Sequence, residues 1–289
     1  MKRERKAADF GRCNMVEDWK PFRGKAIYNP SGKAGEYSYW GCNFYVGCSC
    51  GCQYCFNKKG RSSAILGGDK PMLKKQFKDE NHALEIFVNE AIRNYTELRE
   101  HGLFFSFTSD PQLPDTKYLN NKAILFCLQH GIPVKILTKR IDCVDSWIIL
   151  MKDNPEMKQN LAYGFTLTGH DELEQNASTN AERIEAMRRL HDACFKTFAS
   201  IEPIIDCDSS VEMIWETLPF CDLYKIGLES GKKYNKDELL DLISEVIRKS
   251  YLPTNHFKIY FKDSLLKQAG INREDLPVNC VSRDYNMFN

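Results

Sequence analysis

The sequence predicts an α/β protein, a partial (β/α)6 TIM-type barrel of parallel strands with outer helices. From about residue 80 onward, short apolar runs alternate with segments of helical period. The runs begin at 103, 133, 161, 197, 223 and 257, roughly 25 to 36 residues apart, which is the size of a strand plus its crossover helix. Nearly every run ends in polar residues, as barrel strands do where they meet a site at their carboxyl ends. The alternation alone also admits a full barrel or an open doubly wound sheet.

Taken in order, Leu84, Phe87, Val88, Ala91, Ile92 and Tyr95 share one helical face, and Gly102 stands where a left-handed C-terminal cap would close that helix. The run 103 to 108 reads as a strand. A helical segment ending near Gly131, a strand over 133 to 138, a helix across Trp147, Ile148 and Leu150, and a strand over 161 to 167 repeat the unit. Thr179 with Glu182 forms a capping box for a helix carrying Ile184, Met187, Leu190 and Cys194, followed by strands at 197 and 223. A second box at Asn235 and Glu238 opens a helix with Leu239, Leu240, Ile243, Val246 and Ile247 on one side, before a strand over 257 to 261. Residues 1–35 are expected to form an N-terminal extension and 36–265 the barrel core. Residues 266–289 are expected to form a tail, with Cys280, Arg283, Tyr285 and Phe288, that folds over the barrel mouth or lies on the outer surface.

The 289 residues are 43% hydrophobic, enough for a sizeable core in one large domain or two small ones. Forty basic residues against thirty-nine acidic ones give a formal charge of +1, so no global field draws the chain to nucleic acid or an anionic membrane. No apolar stretch follows the charged start, and no apolar run is long enough for a bilayer, so no membrane association is expected. Twelve cysteines without a secretion signal suit a reducing compartment, where thiols serve metals or redox chemistry, and a cytoplasmic location is expected.

Cys48, Cys50, Cys52 and Cys55 lie within eight residues, in NFYVGCSCGCQYCF. A zinc ribbon brings two pairs together from separate knuckles, and no second pair follows here at that spacing. Non-catalytic iron-sulfur or zinc binding, or a redox thiol cluster, is the alternative reading of the cluster. Cys48, Cys52 and Cys55 as C-x3-C-x2-C instead give three thiolates for a 4Fe-4S cubane, leaving one iron open. Cys50, Cys52 and Cys55 are a tighter alternative; with Cys48 as ligand, Cys50 is a thiol beside the cluster.

At these residues the chain resembles the radical S-adenosylmethionine (SAM) superfamily. The resemblance implies a 4Fe-4S cluster and SAM as cofactors, with Tyr54, just before the third cysteine, against the adenine. It implies reductive cleavage of SAM to a 5'-deoxyadenosyl radical that abstracts hydrogen from a substrate, with an external electron donor such as flavodoxin or ferredoxin. The strand ends suit such a zwitterion: Lys139 for its carboxylate, Ser109 or Asp110 for its amino group, Thr166 or Glu202 for ribose hydroxyls. His170, in the same position after its strand, reads as a surface-loop histidine.

GCSCGCQYCF, TSDPQLPDTK and VKILTKR together resemble the subgroup of spore photoproduct lyase, over roughly residues 40 to 205. That likeness implies lyase-like chemistry, and nucleic-acid repair or modification as an alternative function. It also places Ser109 and Lys139 on the methionine part of SAM, with Thr166 where the family uses a small hydroxyl residue. The sequence departs from the lyase in having no cysteine across 104 to 109; Cys127, Cys143 and Cys207 are the candidates to replace a hydrogen-donating thiol. A nucleic-acid substrate would find seven basic residues from Lys58 to Lys78 against one acid, Asp69, a stretch that reads equally as a solvated loop. The remaining cysteines, Cys13, Cys42, Cys194, Cys221 and Cys280 among them, contain no second compact group for an auxiliary cluster.

Overall fold

A computed structural model describes residues 21–252 and 257–289. Cys13 and most of the expected N-terminal extension lie outside the described residues.

The described residues form ten strands: β1 (Ile27–Tyr28), β2 (Trp40–Cys42), β3 (Tyr45–Val46), β4 (Met72–Leu73), β5 (Leu103–Phe105), β6 (Val134–Thr138), β7 (Leu161–Thr166), β8 (Lys196–Ile204), β9 (Leu223–Leu228) and β10 (Lys258–Phe261). Eight of them make one sheet in the order β1-β2-β5-β6-β7-β8-β9-β10, and β3 pairs with β4 apart from it. From β2 to β10 every neighbouring pair is parallel, while β1 runs antiparallel to β2. The sheet is an open, partial barrel with its helices on the outer side.

The parallel strands number one more than the six expected. β2 is the addition, inserted beside β5 with Trp40 opposite Leu103. Its three residues are too few to show a period, which is why the pattern that finds β6 to β10 passes over it. Segments such as Glu80–Arg93, Lys117–Gln129, Asn180–Asp192 and Lys236–Ser250 supply crossover helices. Helix 80–93 stops at Asn94, and a separate turn of helix, Tyr95–His101, leads to Gly102, whose φ of 70° is paired with an extended ψ rather than the left-handed cap expected. Thr179 and Glu182 do form a capping box. Asn235 caps its helix differently, accepting from the Asp237 amide at 2.8 Å, without Glu238.

Alternation along the strands sorts side chains to two faces. Val134, Ile136, Leu161, Tyr163, Ala199 and Ile226 join the large core between sheet and helices. Phe104, Ala162, Phe198, Leu223 and Tyr260 fill the barrel interior with Tyr37 and Met287. Gly164 belongs to this inner face, and a Cβ there would run into the Phe198 ring, so the absent side chain makes room for that ring.

The C-terminal segment does not cover the mouth. Val281 donates to Ile259 O at 2.7 Å, Lys196 Nζ reaches Met287 O at 2.6 Å, and Asn286 reaches Glu100 O at 2.8 Å, all at the amino ends of strands. The apolar residues of the tail are the reason: Met287, 7% exposed, completes the interior cluster from below. Among the described residues no helix is long and apolar enough to cross a membrane.

Candidate functional site

The cysteine loop leaves β3 at the carboxyl end of the barrel and is held on two sides. On one, Cys48 N donates to Gly68 O at 2.9 Å, and Gly47 has a φ of 82°, where a Cβ would strike the Lys70 carbonyl. On the other, the loop after β7 lies alongside as an improvised strand. Cys52 bridges Glu174, Gln53 N donates to Leu173 O at 2.9 Å, and Asn176 N donates to Cys50 O at 3.1 Å. Backbone hydrogen bonds thus fix where the thiols point, and none of the four is in a disulfide.

One cavity of about 250 Å3 at the strands' carboxyl ends is lined by Cys48, Cys52, Cys55, Tyr54, Ser109, Asp110, Lys139, Thr166 and Glu202. Every residue singled out from the sequence as a metal ligand or cofactor contact therefore faces the same space, together with Cys50.

Cys50 and Cys48 are shifted in opposite directions. A hydrogen bond from Cys50, outweighing burial, lowers the Cys48 thiol to about 7, whereas the Cys50 thiol is pushed far up by the same bond and by burial. Cys50 also lies 3.8 Å from Asp110 Oδ2. Among the described residues no three His, Cys, Asp or Glu side chains are grouped tightly enough for a single metal ion.

Asp110 serves the scaffold. Its carboxylate accepts from Thr138 Oγ1 at 2.6 Å, Lys139 N at 2.8 Å and Gln112 N at 2.9 Å, tying the loop after β5 to the end of β6. Ser109 is 7% exposed and its Oγ has no partner, so of the pair offered for an amino group it is the one with free hydrogen-bonding capacity. Lys139 Nζ stands 5.4 Å from the centre of the Tyr54 ring. Burial works against its charge, but the fields of Tyr54, Cys52 and Glu174 outweigh it and hold the ammonium well above its ordinary range.

Tyr54 is itself anchored: its hydroxyl donates to Glu174, which Arg183 clasps from behind. Arg183 is fully buried on the inner face of helix 180–192 and also donates to Thr166 O at 2.6 Å. Glu202 is equally occupied, accepting from Tyr37 Oη at 2.7 Å and from Lys262 Nζ at 2.8 and 2.9 Å, with Ser200 Oγ 2.5 Å from the same tyrosine. Both groups were missed from sequence. An arginine on the same helix face as apolar Met187 and Leu190 was the available signal for Arg183; nothing local marks Tyr37, which precedes β2.

His170 stands outside the cavity, bonded to Glu172 at 2.7 Å and Asp206 at 2.5 Å. Cys127, Cys143 and Cys207 do not line it either. Three of the seven basic residues of the 58–78 stretch are engaged internally: Lys58 pairs with Asp69 at 2.5 Å, Lys59 with Glu229, and Lys74 donates to the carbonyls of Lys25 (2.7 Å) and Asn43 (3.0 Å).

No family model and no curated protein matches the chain. Solved structures do. SuiB of Streptococcus suis bound to S-adenosylmethionine matches over 78% of this chain and 50% of its own, with a TM-score of 0.52 and 12% identity. SuiB bound to the precursor peptide SuiA matches over 82% and 52%, with a TM-score of 0.55 and 12% identity. Spore photoproduct lyase complexed with a dinucleoside spore photoproduct matches over 77% and 64%, with a TM-score of 0.52 and 16% identity. The chain thus spans about half to under two thirds of the length of these proteins. Its partial barrel is a fold that these structures share.

Proposed function

We propose that this chain is a radical SAM enzyme whose Cys48, Cys52 and Cys55 hold a 4Fe-4S cluster at the barrel mouth. The observation that carries the proposal is the meeting of the cysteine loop and the polar strand ends in one cavity. The residues present suit the cofactors. Three cysteines and an unpartnered buried Ser109 hydroxyl share a wall with a lysine ammonium that has no carboxylate bonded to it, a set matched to a zwitterion beside a cluster. When bound, the cluster and SAM supply reductive cleavage to a 5'-deoxyadenosyl radical, which abstracts hydrogen from an as yet unidentified substrate.

The chain's own residues do the rest. Lys139 binds the SAM carboxylate, Ser109 its amino group, and Tyr54, fixed by Glu174, offers its ring to the adenine. Asp110 keeps Lys139 and Cys50 in place, and Thr166 and Glu202 stand on the ribose side. The deep apolar wall of Phe104, Phe107 and Leu137 keeps water from the reacting carbon.

Anaerobic reconstitution with iron and sulfide tests this reading. A reduced cluster whose EPR signal changes on adding SAM, with 5'-deoxyadenosine released under dithionite, is expected. One tightly bound zinc with no response to SAM would refute it.

A further inference from the structure

At the other end of the barrel, below the amino ends of β5 and β6, lies a second cavity of about 470 Å3. Its polar lining includes Lys135, Arg23, Arg283, His101 and Ser38, and Asp284 is the one carboxylate among the described lining residues. Lys135 is only 7% exposed, and its side-chain amine has no hydrogen bond or ion pair among the described residues. Ser38 is 5% exposed and its Oγ is without a partner. Arg283 uses Nε on the Gly35 carbonyl at 3.2 Å, and Arg23 uses one terminal nitrogen on the Asn29 carbonyl at 3.3 Å. Neither guanidinium reaches a carboxylate among the described residues.

An unpaired buried amine costs stability, and replacing such a group by an apolar one of like shape normally gains it. A chain that keeps Lys135, an orphan hydroxyl and two uncommitted guanidinium forks around one space has a use for them together. We propose that this cavity is a binding site for a small phosphate-bearing molecule, its phosphate held by Lys135, Arg23 and Arg283 with Ser38 donating from the wall. Guanidinium forks match phosphate oxygens two at a time, and a tetrahedral dianion accepts from more donors at once than a carboxylate does. The volume leaves room for more than the anion itself, against the rings of Tyr39 and Tyr285.

The site is separate from the one at the mouth and does not depend on the function proposed there. Tyr37 lines both cavities and forms the wall between them, with its hydroxyl turned to Ser200 and Glu202. Burial pushes the Lys135 amine down to about 8, so binding a dianion near that pH draws a proton onto it.

Titration calorimetry of the full chain with pyrophosphate tests the proposal, with citrate as the carboxylate arm. One saturable pyrophosphate site is expected, tighter than citrate, with an enthalpy at pH 8.5 that varies with the ionisation heat of the buffer. Lys135→Met and Arg283→Met should each weaken it at least tenfold, while Lys75→Met, an exposed lysine elsewhere, leaves it unchanged. Lys135→Met should also raise the ligand-free Tm by a few degrees. No saturable site at millimolar pyrophosphate, tighter binding of citrate, equal binding by Lys135→Met, or a lower Tm in that variant would each overturn the assignment.

Discussion

Arg183 and Glu174 are the most consequential pair of side chains behind the site, because both are out of solvent and one of them holds Tyr54. Removing the guanidinium leaves a carboxylate buried beside the cysteine loop without its counter-charge. Arg183→Met is therefore expected to cost about 3 to 5 kcal/mol in urea unfolding, and adding Glu174→Leu should return part of that loss. In the loop itself, Cys52→Ala should abolish cluster assembly as read by iron content and absorbance, whereas Cys50→Ala should leave it largely intact. Equal loss in both would show that Cys50 is itself a ligand.

Among elements, the loop between β7 and helix 180–192 depends on a histidine clip. His170 joins Glu172 of that loop to Asp206, the N-cap of helix Cys207–Thr217, and Ser209 lies 3.1 Å from the same ring nitrogen. Burial would lower its pKa, and the two carboxylates together outweigh that and raise it. With the folded value above the unfolded one of about 6.5, the clip contributes fully below the unfolded pKa and is lost as pH rises through the folded one. The stability difference between wild type and His170→Gln should thus be largest near pH 5.5 and shrink through mildly alkaline pH, as read by denaturation midpoints. A difference constant from pH 5.5 to 9 would exclude the clip.

The same elements show what a sequence carries. β6 to β10 were legible because each is a buried apolar run spaced by a helical crossover segment, and the Thr179 box because its two partners are three residues apart. The residues lining the mouth were legible as strand ends, since parallel strands deliver their last residues to one place. Contacts between residues far apart in the chain left no local trace: the Tyr37, Glu202 and Lys262 network joins three separate segments, and β2 is short.

At the scale of the molecule, the tail acts as a floor. Met287 and its neighbours close the barrel interior opposite the site, so truncation after Ser282 opens Phe104, Phe198 and Tyr260 to water from below. The truncated chain is expected to lose stability by several kcal/mol, on the scale of a fully buried apolar side chain and its cavity, and to bind a hydrophobic dye. An unchanged unfolding midpoint would show that the floor is dispensable.

The clamp on the cysteine loop has a bearing on how the protein is made. Cys50 and Gln53 are gripped by Asn176 and Leu173, which leave the ribosome more than a hundred residues later. A nascent chain that has emerged only through β6 displays every thiol of the loop without the frame that aims them. The frame that aims them is complete only once translation has passed β7.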